Sequence, residues 1–148
     1  MSQPSERSLT APHVLKYTYK RSLGPVLGAF FTALRERRIL GVRRGDGSVL
    51  VPPKEYDPDS AEALAELVPV ADAGVVRSWA WVAAPRAQQP FAHPFAYALI
   101  QLDGASTPLL HVVDAGSEAR MRTGMRVRAR WAAEPVGRIQ DIEAFEPA

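Results

Sequence analysis

Cysteine is missing from all 148 residues. That removes disulfides, thiolate metal sites and thiol nucleophiles together, and it fits a reducing cytoplasm. Histidine is scarce: His13, His93 and His111 stand at no metal-ligand spacing, and none is read as catalytic. Long apolar runs are missing too, none approaching the roughly 20 residues that cross a bilayer. The opening MSQPSERSLTAPHV lacks the basic end and apolar stretch of a secretory leader. No phosphate-cradling glycine loop, no G-x-G-x-x-G, no G-x-S-x-G and no H-E-x-x-H occurs. Charge of one sign is not concentrated either: 10 basic and 8 acidic residues lie through Val70, and 8 of each thereafter. The balance makes no case for nucleic acid on charge alone. These absences read as a cytoplasmic protein without a membrane segment, bound zinc, cofactor of its own or visible catalytic set.

What is present is an ordinary globular composition, 47% hydrophobic and 23% charged, in a length suited to one domain or two small lobes sharing a core. Residues 1–20 read as an extended polar arm, with Tyr17 and Tyr19 on one face. Residues 21–38 read as a helix: Pro25 suits its first turn, Val26, Leu27, Phe30, Phe31 and Leu34 form one apolar stripe, and Arg35–Arg38 closes it near Arg37. Phe30 and Phe31 are adjacent, so both cannot enter one core, and at least one is expected to face the arm or a partner.

Residues 39–66 read as a hairpin lobe. Strands Ile39–Arg43 and Ser48–Val51 flank a Gly45-Asp46-Gly47 turn, Pro52-Pro53 ends the ladder, and Ser60 would cap a short helix, Ala61–Leu67. From Leu67 to the end, six strand candidates follow: Leu67–Ala71, Gly74–Ala84, Ala96–Asp103, Leu109–Asp114, Arg126–Glu134 and Gln140–Phe145. Five or six short strands in about 80 residues suggest a small closed barrel.

The hairpin lobe has the outline of a zinc ribbon emptied of its ligands. With cysteine at Arg43, Asp46, Asp57 and Ser60 it would read C-x2-C-G, a hairpin, then C-P-x-C, two knuckles of a tetrahedral thiolate site. Two aspartates, a serine and an arginine are a poor zinc set. The turns are instead expected to be held by Asx hydrogen bonds and a pair from Arg43 or Arg44 to Asp46 or Asp57. A structural zinc contributes about 10–16 kcal/mol in an isolated peptide, and an exposed ion pair about 0–1 kcal/mol. Packing must therefore supply most of what holds this lobe.

In order, the helix Pro25–Arg37, the Val51-Pro52-Pro53 and Asp57-Pro58-Asp59-Ser60 segments, the strand GVVRSWAWV from Gly74, the strand ending Leu102-Asp103-Gly104, and the late strand TGMRVRA from Thr123 resemble one family. It is that of OB-fold proteins with an N-terminal helix and a rubredoxin-like zinc ribbon, and the likeness covers about residues 17–146. The fold the resemblance implies is mainly β: N-terminal helix, metal-free ribbon-like hairpin, and a five-stranded OB-type barrel over residues 67–148. The function it implies is a non-catalytic accessory subunit docked on a thiolase-fold, aldolase or other acyl-CoA enzyme, in steroid or fatty-acid side-chain degradation. All four ligand positions depart from the family pattern, so its zinc does not carry over.

Three groups of residues are candidates for contact. Arg126, Arg128 and Arg130 alternate with Val127, Ala129 and Trp131 and so share one strand face, either a solvated face or an anion surface for CoA phosphates. Trp79 and Trp81 are read on one face with Val75 and Arg77, as barrel core, partner interface or a stacking platform for single-stranded nucleic acid. Tyr17, Tyr19, Phe30 and Phe31 are candidate anchors for a partner subunit. A single-strand nucleic-acid binder using Trp79, Trp81 and the arginine stripe is the alternative function.

Overall fold

The computed structural model describes residues 10–148; residues 1–9, part of the expected arm, lie outside the described residues. Residues 10–24 run without regular structure. Helix α1 (Pro25–Arg35) follows, then β1 (Ile39–Arg43), β2 (Val49–Leu50), β3 (Leu67–Val70), β4 (Ala73–Val82), β5 (Phe95–Leu102), β6 (Leu109–Val113), β7 (Arg126–Trp131) and β8 (Ile142–Pro147).

Two sheets result. Strands β2, β1 and β3 form a small antiparallel sheet, and β4-β5-β6-β8-β7 close into a barrel with a single parallel contact between β6 and β8. Mainly β with one helix and a closed five-stranded barrel is the architecture the sequence implies. That strand order, with the fourth and fifth exchanged around the closure, is that of the OB barrel. The candidate barrel strand Leu67–Ala71 forms as β3 but pairs with β1 instead, Leu40 opposite Pro69 and Val42 opposite Leu67. Composition marks a strand, but the choice of neighbour rests on burial, and β1 offers an apolar edge in Ile39 and Val42.

Helix α1 begins without a capping side chain of its own. The carboxylate of Glu55 accepts from the amides of Val26 and Leu27, both at 3.0 Å, doing from the hairpin lobe what a local cap does elsewhere. A side chain on Gly24 would stand 2.1 Å from that carboxylate, so glycine there keeps the cap in place. The helix stops two residues before the expected Arg37. Arg37 turns left-handed (φ 56°), and the Arg38 and Arg37 amides donate to the Ala33 and Leu34 carbonyls. That pairing is the Schellman closure. Arg37 also reaches the carbonyls of Ala132 and Ala133, while Arg35 reaches that of Val136. The helix end is thus tied to the β7–β8 loop.

One core runs through all three parts. Phe30 and Leu34 of α1, Ile39, Val49 and Val51 of the hairpin lobe, and Val76, Ile100, Val113, Val127 and Phe145 of the barrel are buried in a single cluster. The β5–β6 loop seals the lobe to the barrel. Ser106 Oγ accepts the Val49 amide at 2.9 Å, the Ser106 amide donates to the Val49 carbonyl at 2.8 Å, and Thr107 Oγ1 accepts the Val51 amide at 2.9 Å. An edge strand only two residues long is thereby covered.

The expected helix over Ala61–Leu67 does not form. Asp57 Oδ1 accepts the amides of Asp59 and Ser60, Ala61 turns left-handed (φ 60°), and Tyr56 bridges Ala63. The aspartate competes successfully for backbone donors that a helix start would need.

Candidate functional site

The turns of the hairpin lobe, where the sequence resembles an emptied ribbon, meet around Arg44. Its guanidinium donates to Asp57 at 2.6 and 3.0 Å, to Asp46 at 3.5 Å, and to Asp59. Arg44 rather than Arg43 is the crosslink; Arg43 pairs instead with Glu66 at 2.9 Å and with the Gly47 carbonyl. Strand alternation explains the choice, since neighbouring side chains leave opposite faces. Asp57 is nearly buried, and its carboxyl lies far below the usual range because Arg44 donates to it and the Asp59 and Ser60 amides add to the effect. Asp46 is lowered as well, by the Ser48 hydroxyl and amide.

The outline of the knuckles persists in these bonds. Asp46 accepts the amide two residues on, Asp57 the amides two and three on, and Ser60 Oγ that of Glu62 at 3.4 Å. Arg43, Asp46, Asp57 and Ser60 do not fit zinc: a guanidinium bonded to the two aspartates brings its own positive charge to the place a metal would need. Among the described residues, no group of three or more His, Asp or Glu side chains could hold a metal ion.

The arginine stripe alternates as expected, Arg126 and Arg128 outward, Val127 and Ala129 buried. It is not an open cationic face. Arg126 makes a bidentate pair with Asp103 at 2.8 and 2.7 Å, lowering that carboxyl. Arg130 spans Glu143 at 2.7 Å, Asp114 at 3.1 Å and Glu146 at 3.2 Å, and lies 6.0 Å from the Phe91 ring. Its charge is held more firmly still, chiefly by Glu143. Among the described residues only Arg128 of the three has no ion pair.

Trp79 and Trp81 do not share a face with Val75 and Arg77. An irregularity between Val76 and Ser78 inserts Arg77 as an extra residue, and Trp79 and Trp81 then stand opposite Ala98 and Ala96, both buried inside the barrel. A bulge shifts the alternation by one. The two indoles are half-buried against the core, with Phe31, Trp131 and Ile139 also on its margin. The outer face of β4 therefore carries no tryptophan stacking platform.

The remaining candidates are scattered. Phe30 is buried, and Phe31 packs edge-on against it at 5.3 Å, half-buried on the core margin. Tyr17 and Tyr19 are 79% and 83% exposed, beside exposed Val14 and Leu15 on the arm. Sequence reading missed Leu110, exposed and cross-strand to Leu99 on the outer barrel face. It also missed a pair between His93 Nε2 and Asp114 at 3.2 Å under a stacked Phe91. A histidine and an aspartate 21 positions apart carry no local signal. His111 faces the barrel interior near Phe145; burial pushes its pKa down, and its Nδ1 is without a partner.

Residues 67–132 match the family model for the C-terminal OB-fold domain of ChsH2. No curated protein matches the chain. Among solved structures, a Sulfolobus solfataricus protein of unknown function from the DUF35 family superposes with a TM-score of 0.64 at 18% identity, over 85% of each chain. A chain of the Ltp2-ChsH2(DUF35) aldolase does so with a TM-score of 0.64 at 21% identity, covering 86% of this chain and 98% of that one. At such identities the likeness is one of fold.

Proposed function

We propose that this chain, whose residues 67–132 match the C-terminal OB-fold domain of ChsH2, is a non-catalytic partner subunit of a thiolase-like or aldolase-type enzyme acting on acyl-CoA. The observation that carries the reading is the length of the likeness. The superposition on a chain of the Ltp2-ChsH2(DUF35) aldolase takes in 86% of this chain and 98% of that one, more than a barrel alone would supply. Steroid or fatty-acid side chains carried as CoA thioesters are the substrate class proposed for the complex, in the cytoplasm.

One feature of the chain supports a docking role. The arm presents Tyr17 and Tyr19 to solvent beside Val14 and Leu15, and aromatic residues are enriched at interfaces. Arg126, Arg128 and Arg130 stay the proposed contacts for CoA phosphates within the complex, Arg128 being the one without a carboxylate. The nucleic-acid reading loses its main support once Trp79 and Trp81 face the barrel interior.

The test is recovery of the tagged chain from its native cell with identification of what comes with it. A thiolase-like protein in stoichiometric amount is the expected result. Recovery of the chain alone, or with no acyl-CoA enzyme, contradicts the proposal.

A further inference from the structure

Beside the arginine stripe, the turn Glu118–Arg120 and the start of β7 enclose a recess of about 520 Å³. Ala119, Arg120, Arg122, Gly124, Arg126 and Ala148 are on its lining. Met121 is buried and in extended conformation, so Arg120 and Arg122, one residue to either side, leave the backbone on the side away from the core. Two glycines shape the place. Gly116 takes a left-handed φ (80°) that favours glycine, and a Cβ there would meet Arg120 Nη1 at 3.5 Å, in ordinary contact. Gly124 (φ 86°) lets the chain double back, with the Met125 amide on the Arg122 carbonyl at 3.3 Å and the Arg122 amide on Met125 Sδ at 3.4 Å.

The charges are unequally satisfied. Arg126 is neutralised by Asp103, whereas Arg120 and Arg122 form no ion pair among the described residues. Arginines are normally placed where their fork of donors meets an oxyanion. Two unpaired guanidinium groups and a third held in fixed orientation, around one concave space, match a doubly charged tetrahedral oxyanion better than a single carboxylate.

We infer that this recess is a binding site for a phosphate group, free or at the end of a larger ligand, with Arg120 and Arg122 as its ligands and Arg126 as a fixed wall. The site shares only Arg126 with the stripe and does not rest on the docking proposal, because the isolated chain contains all of it. The ligand's remainder would lie outside, since the recess opens to solvent.

The test is a titration of the isotope-labelled full chain by NMR at constant ionic strength, with sodium pyrophosphate, ADP and sodium chloride in separate arms. Saturable shifts at the amides of Ala119–Arg122 and Gly124–Arg126 with pyrophosphate, and none with chloride, are expected. The double change Arg120→Gln, Arg122→Gln should weaken binding at least about tenfold, the ratio expected when a charge-assisted hydrogen bond is lost. Arg86→Gln, on the exposed β4–β5 loop outside the recess, should leave binding within about twofold. ADP binding tighter than pyrophosphate would identify the phosphate as part of a nucleotide; equal affinity would mean the phosphate group alone suffices. Shifts that chloride reproduces, or equal losses in the Arg86→Gln and double variants, would overturn the site. A double variant with an unaltered spectrum and unweakened binding would overturn it as well.

Discussion

Arg44 sits where two turns of the hairpin lobe meet, and its guanidinium is shared among Asp46, Asp57 and Asp59. A zinc ion in such a position would bind tightly and leave in the presence of a chelator. The guanidinium does neither, so its contribution follows pH instead. The Asp57 carboxyl lies well below the usual range in the folded chain. A carboxylate depressed in this way contributes stability that is complete above its unfolded value, about 3.9, and is lost as pH falls below that value. The melting temperature of the protein should therefore drop more steeply than that of Asp57→Asn between about pH 4 and pH 2, although the variant starts lower at neutral pH. EDTA should leave both unchanged. Superimposable acid limbs in a thermal-melt series would contradict this account of the crosslink. That an arginine would crosslink the turns is readable in the sequence, because Arg43 and Arg44 are the cations beside the Asp46 turn. Which arginine it is depends on strand pleat, which the turn chemistry alone does not set.

At the scale of elements, what could be read depended on whether the signal was local. The β1–β2 hairpin announces itself through Asp46-Gly47, and Gly47 takes the positive φ that such a turn needs. The apolar stripe of α1 likewise packs as its spacing indicates. The Glu55 cap on α1 is not legible, because cap and helix are 29 residues apart in sequence and meet only through the fold. The bulge in β4 is the most consequential miss. Strict alternation places Trp79 with Arg77, and one inserted residue moves both indoles inside. It follows that Trp79→Ala and Trp81→Ala should each cost roughly 2–4 kcal/mol, somewhat less than a fully buried aromatic, in a denaturant titration. Single-stranded oligonucleotide should leave the tryptophan fluorescence unchanged. Variants of near-native stability would contradict the inward register and reopen a stacking platform on the outer face.

Taken whole, the molecule carries its hairpin lobe as part of a common core. Ile39, Val49 and Val51 pack in the same cluster as the barrel residues, Ser106 and Thr107 cover the edge of β2, and Glu55 ties the lobe to α1. The hairpin lobe is thus held mainly by packing, with Arg44 as a local crosslink. What the closed body does not engage is the arm, whose Val14, Leu15, Tyr17 and Tyr19 remain open to solvent. Partner identity is not written in residue spacing, since an interface is recognised only against the surface it meets. The central claim is that the chain serves another enzyme. It is tested most directly by reconstitution: the purified thiolase-like partner is assayed for acyl-CoA turnover alone and with this chain added in stoichiometric amount. The account predicts a co-migrating complex and turnover that rises with added chain to a plateau at the complex's stoichiometry. Full turnover by the partner alone, unchanged by the chain and without co-migration, would contradict it.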